Sequence, residues 1–196
     1  MAIQGSLEMI KRRLSSDSQM HQFVDNALQG AQRGAALTQR MLAFARRQEL
    51  KLQSVNVTEL IAGMADLLQS SLGAAIQIET RFSLGLPKAS ADANQLELAI
   101  LNLSMNAKDA MPRGGSIVIS ARERKVQNEP GLKPGRYVCL SVTDAGTGMD
   151  EQTLRRAIEP FYTTKGVGKG TGLGLPMVLG MTEQSGGKLY LKSKLG

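Results

Sequence analysis

The chain has 196 residues, enough for one or two domains, and carries 24 Lys/Arg against 17 Asp/Glu, a formal charge of +7. Its single cysteine, Cys139, excludes an internal disulfide and fits a reducing, cytoplasmic setting. No apolar run reaches about 18 residues and no signal-peptide pattern opens the chain, so no membrane contact is expected from it. The positive charge does not point to nucleic acid, because aromatic residues make up only 4% and no basic run exceeds three. A solvated helix face, or a surface matching an acidic protein partner, explains it better.

The first 54 residues read as helix. A short segment, Ile3 to Leu14, breaks at Ser15-Ser16-Asp17-Ser18, and a longer one runs from about Gln19 to Gln48. Phe23, Ala27, Gly30, Gly34, Leu37, Met41 and Phe44 follow a four-three spacing, the seam of a coiled coil or antiparallel bundle. At about 1.5 Å per residue such a helix spans roughly 45 Å, longer than a compact domain needs. Two helices alone cannot cover this seam, so a homodimeric four-helix bundle is the natural completion.

A break at Glu49 to Val55 marks the expected domain boundary. Asn56 with Glu59 makes a capping box for a helix to about Leu72. Ile76, Ile78, Thr80 and Phe82 alternate as a strand, and Pro87 ends the following connection. Asp92 and Gln95 cap a helix running to about Met111. Leu96, Ile100, Leu103 and Ala107 form its core stripe, while Leu98, Leu101 and Met105 lie roughly opposite, so cover on two sides is expected. Between these faces Asn102, Asn106 and Asp109 make a single polar stripe. Oxygen ligands of this kind suit Mg²⁺, which keeps waters and takes phosphate oxygens. Buried amides bonding a neighbouring strand are the alternative.

Ser116 to Ala121 and Arg136 to Asp144 alternate as two strands joined by the turn-rich NEPGLKPG. Val138, Leu140 and Val142 share a face, and Asp144 keeps their direction. A carboxylate ending an apolar face is costly unless it meets a donor. The exocyclic amine of adenine is one candidate, with Gly146 and Gly148 leaving room for the base, and it would select ATP over GTP. A plain turn aspartate is the other. A helix from Asp150 to Ala157 follows, and Gly186-Gly187 opens a last strand, Lys188 to Ser193.

Between these lies IEPFYTTKGVGKGTGLGL, Ile158 to Leu175, with Gly166, Gly168, Gly170, Gly172 and Gly174 on alternate positions. So many glycines cost too much backbone entropy for a regular element, and suit a loop that lets N–H groups approach a ligand. Pro176 fits a first helical turn, so a helix begins near Gly174. A glycine-rich loop opening a helix is suited to phosphate. It is neither a Walker loop nor a dinucleotide-binding turn.

Four stretches in this order resemble the ATP-binding domain of sensor histidine kinases, members of the GHKL ATPase superfamily. ILNLSMNAKDAM resembles the N box, DAGTGM the first glycine box, EPFYTTK the F box and GKGTGLGL the second glycine box. The preceding helices resemble the dimerisation and phosphotransfer hairpin, and RGAALTQRMLAFARRQEL is typical of bacterial hybrid kinases whose acceptor motif reads HDFNNLL. The resemblance implies an α+β chain: a helical hairpin over residues 1–54, half of a dimeric four-helix bundle, then a two-layer α/β sandwich with a mixed sheet over residues 55–196. It implies ATP and Mg²⁺ as cofactors, with Asn106 holding the metal and Asn106 and Lys165 as catalytic residues. ATP would be bound by Asn102, Asn106, Asp109, Asp144, Gly146, Gly148, Met149, Thr164, Lys165, Gly170, Thr171, Gly172, Leu173 and Gly174. The implied partners are a second copy through the hairpin and a response-regulator receiver domain, with no nucleic acid.

The implied activity is ATP-dependent protein-histidine kinase. The acceptor histidine belongs before MAIQGSLEM, so the chain is expected not to label itself, and His21, its only histidine, reads as a surface residue. The family's final strand is expected beyond Gly196. Alternatives are a non-catalytic ATP-binding docking module for a response regulator, or another GHKL ATPase. Hydrolases of that group place a glutamate base where this chain has Asn102, which argues against the latter.

Overall fold

The computed structural model describes residues 6, 9–11, 20–28, 30, 50–166 and 170–196. The chain divides into two compact units, Met1–Gln48 and Glu49–Gly196. In the first, residues 9–11 and 20–28 are helical, and Lys11 pairs with Asp25 at 2.6 Å. Phe23, the first residue of the expected seam, is 66% exposed. Gly34, Leu37, Met41 and Phe44 lie outside the described residues.

The second unit opens with strand β1, Gln53–Val55, which pairs antiparallel with β3, Ala89–Ala91. Gln53 and Ser54 thus belong to this unit, and the division falls before Glu49 instead of after Ser54. Asn56 caps α1, Val57–Gly63, its side-chain oxygen accepting from the N–H groups of Thr58 and Glu59. Such a cap stabilises a helix by about 1 kcal/mol. The expected single helix is interrupted at Met64, and α2 runs over Ala65–Leu72. Gly63 is the weak link in the helix, and the break lets Ile61, Met64, Leu68 and Leu72 all reach the core.

Strand β2, Ile76–Phe82, runs parallel to β4, Gly115–Val126, which runs antiparallel to β5, Gly135–Asp144. A parallel pair requires a long crossover. Here it contains β3 and the long helix α3, Ala93–Ala110, capped by Asp92 through Gln95 N–H. Asp92 also accepts from the Lys51 backbone at 3.0 Å, which ties the start of the unit to the start of α3. One face of the mixed sheet, Ile76, Ile117, Ile119 and Ala121, packs on the apolar faces of α1, α2 and α3. The result is the expected α+β two-layer arrangement.

Helix α3 buries Leu96, Ile100 and Ala107 of the expected core stripe. Ser104 is fully buried where Leu103 was expected, and its hydroxyl finds no partner among the described residues. On the opposite side Leu101 and Met105 pack against the core as expected, but Leu98 is 46% exposed, so the second cover is partial. The final segment differs too. Residues 188–193 form no strand, although exposure still alternates along them. They are fastened instead by side chains: Lys188 donates to the Pro130 carbonyl at 2.6 Å, and the Tyr190 hydroxyl bonds Glu129. Arg124 completes this cluster, pairing with Glu129 at 2.7 Å and lying over the Tyr190 ring.

Candidate nucleotide and metal site

The polar stripe of α3 faces the start of α5, Gly174–Gln184. A side chain at Gly174 would come within 3.6 Å of the Asn106 amide nitrogen and 3.8 Å of the Asn102 oxygen. Helix α5 opens at Leu173 without a side-chain cap, and Pro176 lies in its first turn as expected. The first-turn N–H groups of Gly174 and Leu175 have no acceptor within the helix, so they add partial positive charge beside the two asparagines.

Lys165 closes this arrangement. Its ammonium donates to Asn106 Oδ1 at 3.1 Å and to Asp109 Oδ2 at 2.5 Å. Residues 56 and 59 positions apart in sequence thereby meet. The lysine backbone is steadied by a bond from its N–H to Thr163 Oγ1 at 3.1 Å, while Thr164 stays exposed. The donor set suits a hard cation: two amide oxygens and a carboxylate on one helix face. The Lys165 ammonium already holds a positive charge against two of these three side chains, as a stand-in for such an ion.

Strand register places Asp144 opposite Ile117, in line with Val142 opposite Ile119 and Leu140 opposite Ala121. The carboxylate therefore ends the core-facing row, as its parity requires. Asp144 Oδ1 accepts from Gly146 N–H at 2.9 Å, a turn bond, and the side chain is exposed. The turn reading is thus realised in one oxygen; the other carries no hydrogen bond among the described residues. Thr147 N–H donates to the Ala110 carbonyl at 3.0 Å and fixes the turn to the end of α3.

The two glycines of this turn serve a purpose that sequence reasoning missed. A Cβ at Gly146 would lie 2.6 Å from Ala110 Cβ, and one at Gly148 only 1.9 Å from the Lys194 carbonyl oxygen. Gly148 also has a φ of 67°. At both positions the place a Cβ would take is occupied by the chain itself. Met149 N–H donates to Ser193 Oγ at 2.8 Å, and Gly196 N–H to the Thr147 carbonyl at 3.2 Å.

On the other rim α4, Glu151–Arg156, leads from Asp150 to the F-box stretch. Phe161 N–H donates to the Gly172 carbonyl at 2.9 Å, and both residues have positive φ, 68° and 63°. A Cβ at Gly172 would meet the Phe161 carbonyl carbon at 2.4 Å. This clamp joins the F-box stretch to the second glycine stretch just before the buried Leu173. No sequence signal announced it, because phenylalanine rarely adopts the left-handed region. Thr171 supports the same corner, its hydroxyl accepting from Leu173 N–H at 3.4 Å. Gly168 lies outside the described residues. Asn102, Asn106, Asp109, Lys165 and Gly174 are brought together, whereas Asp144, Gly146, Gly148 and Met149 form a separate turn fastened through Thr147 to Ala110 at the C-terminal end of α3.

A site built on a long polar-striped helix, a glycine-rich loop opening a second helix and an aspartate at a strand end defines a class of ATPases. Residues 91–196, more than half of the chain, match the family described as histidine kinase-, DNA gyrase B-, and HSP90-like ATPase, and the chain belongs to that family. Among curated proteins it is similar to sensor kinase CckA of Brucella abortus, 39% identical over 176 residues, covering 87% of this chain and 19% of that protein. It is also similar to sensor histidine kinase ZraS of Klebsiella oxytoca, 32% identical over 196 residues, covering 100% of this chain and 40% of that protein. The chain therefore spans well under half the length of these relatives. Among solved structures it resembles full-length ShkA in complex with AMPPNP, with a TM-score of 0.67 and 25% identity, covering 93% of this chain and 38% of that one.

Proposed function

We propose that this chain is the kinase core of a bacterial two-component sensor histidine kinase. It binds Mg·ATP, and in the intact protein the γ-phosphoryl passes to a histidine imidazole and then to an aspartate of a response-regulator receiver domain. The observation that carries this is the meeting of Asn106, Asp109 and Lys165 beside the uncapped start of α5. Sensor-kinase relatives matched over most or all of the chain support it.

In such a transfer the protein mainly positions groups and offsets charge. Asn106, with Asn102 and Asp109 beside it, would hold Mg²⁺, which when bound neutralises phosphate oxygens. Lys165 and the N–H groups of Gly170 to Gly174 would hold the triphosphate. Asp144 is oriented by its bond to Gly146, which leaves its second oxygen to accept from the adenine amine. Guanine presents an oxygen there, so GTP would be refused. Residues 1–48 would form half of a homodimeric bundle; the exposure of Phe23 on that seam favours it. The free, half-buried Cys139 favours a reducing, cytoplasmic setting. No helix among the described residues is long and apolar enough to cross a membrane.

Titration calorimetry of ATP and GTP, each with and without Mg²⁺, tests the site. Selective, Mg²⁺-dependent ATP binding that weakens about tenfold or more in Asp144→Asn is expected. Equal binding of ATP and GTP, or an unchanged Asp144→Asn, would overturn the assignment. Phosphate transfer to a separately supplied acceptor hairpin then distinguishes a kinase from an ATP-binding docking module.

A further inference from the structure

Taking the polar stripe as the ATP and metal site proposed above, we infer that Lys165 is a resident counter-cation. It bars Asn106 and Asp109 to free divalent ions and yields them only to a metal arriving with nucleotide. The ammonium occupies Asn106 Oδ1 at 3.1 Å and Asp109 Oδ2 at 2.5 Å, the oxygens a metal would need. It is not a loosely placed surface lysine. Its side chain is 33% exposed and its N–H is bonded to Thr163 Oγ1. Gly170 lies so close that a Cβ there would fall 3.1 Å from Lys165 Cδ and 2.6 Å from Thr163 Oγ1.

A free divalent ion entering the stripe must displace the ammonium and then remain beside it. Two positive charges would then share one carboxylate at a separation well inside a Debye length, so their repulsion opposes entry of the ion. A triphosphate changes the balance. It supplies negative oxygens for both cations, so the lysine can transfer to phosphate while the metal takes Asn106 and Asp109. Metal and nucleotide are therefore loaded as one unit.

Mn²⁺ serves as the probe, since its free-ion paramagnetic resonance signal falls as it binds. The full chain is titrated without nucleotide. Wild type is expected to bind Mn²⁺ weakly, and Lys165→Met about tenfold more tightly. Lys165→Arg, which keeps the charge, should bind as weakly as wild type. In an Asp109→Asn background the gain from Lys165→Met should shrink to less than about threefold, as coupled residues require.

Equal Mn²⁺ affinity in wild type and Lys165→Met would overturn the latch. So would a gain that persists undiminished in Asp109→Asn, because it would report general charge and not occupancy of the stripe. Titration with ATP present separates this from the underlying site. Wild type that takes up Mn²⁺ with ATP, but gains nothing without nucleotide in Lys165→Met, keeps the site and loses the latch. Wild type that takes up no Mn²⁺ with ATP loses the ATP site, while the nucleotide-free comparison still decides the latch.

Discussion

The two rims of the site are built differently. The rim around Asp144 to Met149 is held at the backbone of Thr147 and Met149 by bonds to residues distant in sequence: Thr147 to Ala110, Met149 to Ser193, Gly196 back to Thr147. Among the described residues of the rim from Glu159 to Gly174, the F-box and glycine stretches are joined by the backbone bond from Phe161 to Gly172, and α3 is reached by the Lys165 side chain. Backbone bonds in a packed corner open only with the surrounding structure, whereas the half-buried Lys165 contact can be exchanged for that of a charged ligand. The proposed adenine end is therefore a fixed part of the fold, while at the proposed phosphate end the Lys165 contacts can pass to what it binds.

Substitution of one glycine on each rim should separate the two. Gly148→Ala has the largest expected effect. The new methyl must take a φ of 67° and displace the Lys194 carbonyl, which disturbs the bonds at Thr147 and Met149. Left-handed strain of about 1–2 kcal/mol and two hydrogen bonds of about 1 kcal/mol each give a loss of about 3 kcal/mol. That lowers the thermal midpoint on the order of 6–12 °C by calorimetry. A fall under about 2 °C would mean that the C-terminal segment is no part of the fixed rim.

Gly172→Ala should behave in the opposite sense. Its methyl meets the Phe161 carbonyl carbon and opens the clamp, yet the buried Leu173 behind it keeps its place. Stability falls less than for Gly148→Ala, and ATP affinity falls about tenfold in calorimetry. Normal ATP affinity in a folded Gly172→Ala chain would show that the clamp does not position the phosphate end.

The difference between the rims also marks what could be read in the sequence. Caps are local: Asn56, Asp92 and Asp150 each bond an N–H two or three residues on, and all three start helices where the pattern places them. The row Val138, Leu140, Val142, Asp144 follows from strand parity alone, and so does the polar stripe from helical spacing. The rest depends on distant partners. Nothing near Gly148 announces that Lys194 will lie against it, and nothing near Asp109 announces Lys165. The break at Met64 and the open side at Leu98 likewise reflect what the rest of the fold supplies, not local propensity. The last segment has a strand's alternation, but a ladder needs a neighbour, and among the described residues 188–193 pair with none.

The smallest effect is expected at Asp150, where the chain passes from the fixed rim to the adaptable one. Its carboxylate accepts from Thr153 N–H at 2.7 Å, and this bond to the charged form holds its pKa below the ordinary aspartate value. A depressed folded-state pKa means that the carboxylate's contribution is present at neutral pH. It is lost only as pH falls through that depressed value. Nuclear magnetic resonance titration should therefore find Asp150 still ionised at a pH where an unfolded aspartate is half protonated. In Asp150→Ala, amide exchange should quicken along α4 and leave the protection of Thr147 and Met149 unchanged. If exchange at Thr147 and Met149 quickened together with α4, the two rims would open as one unit, and the distinction between them would fail.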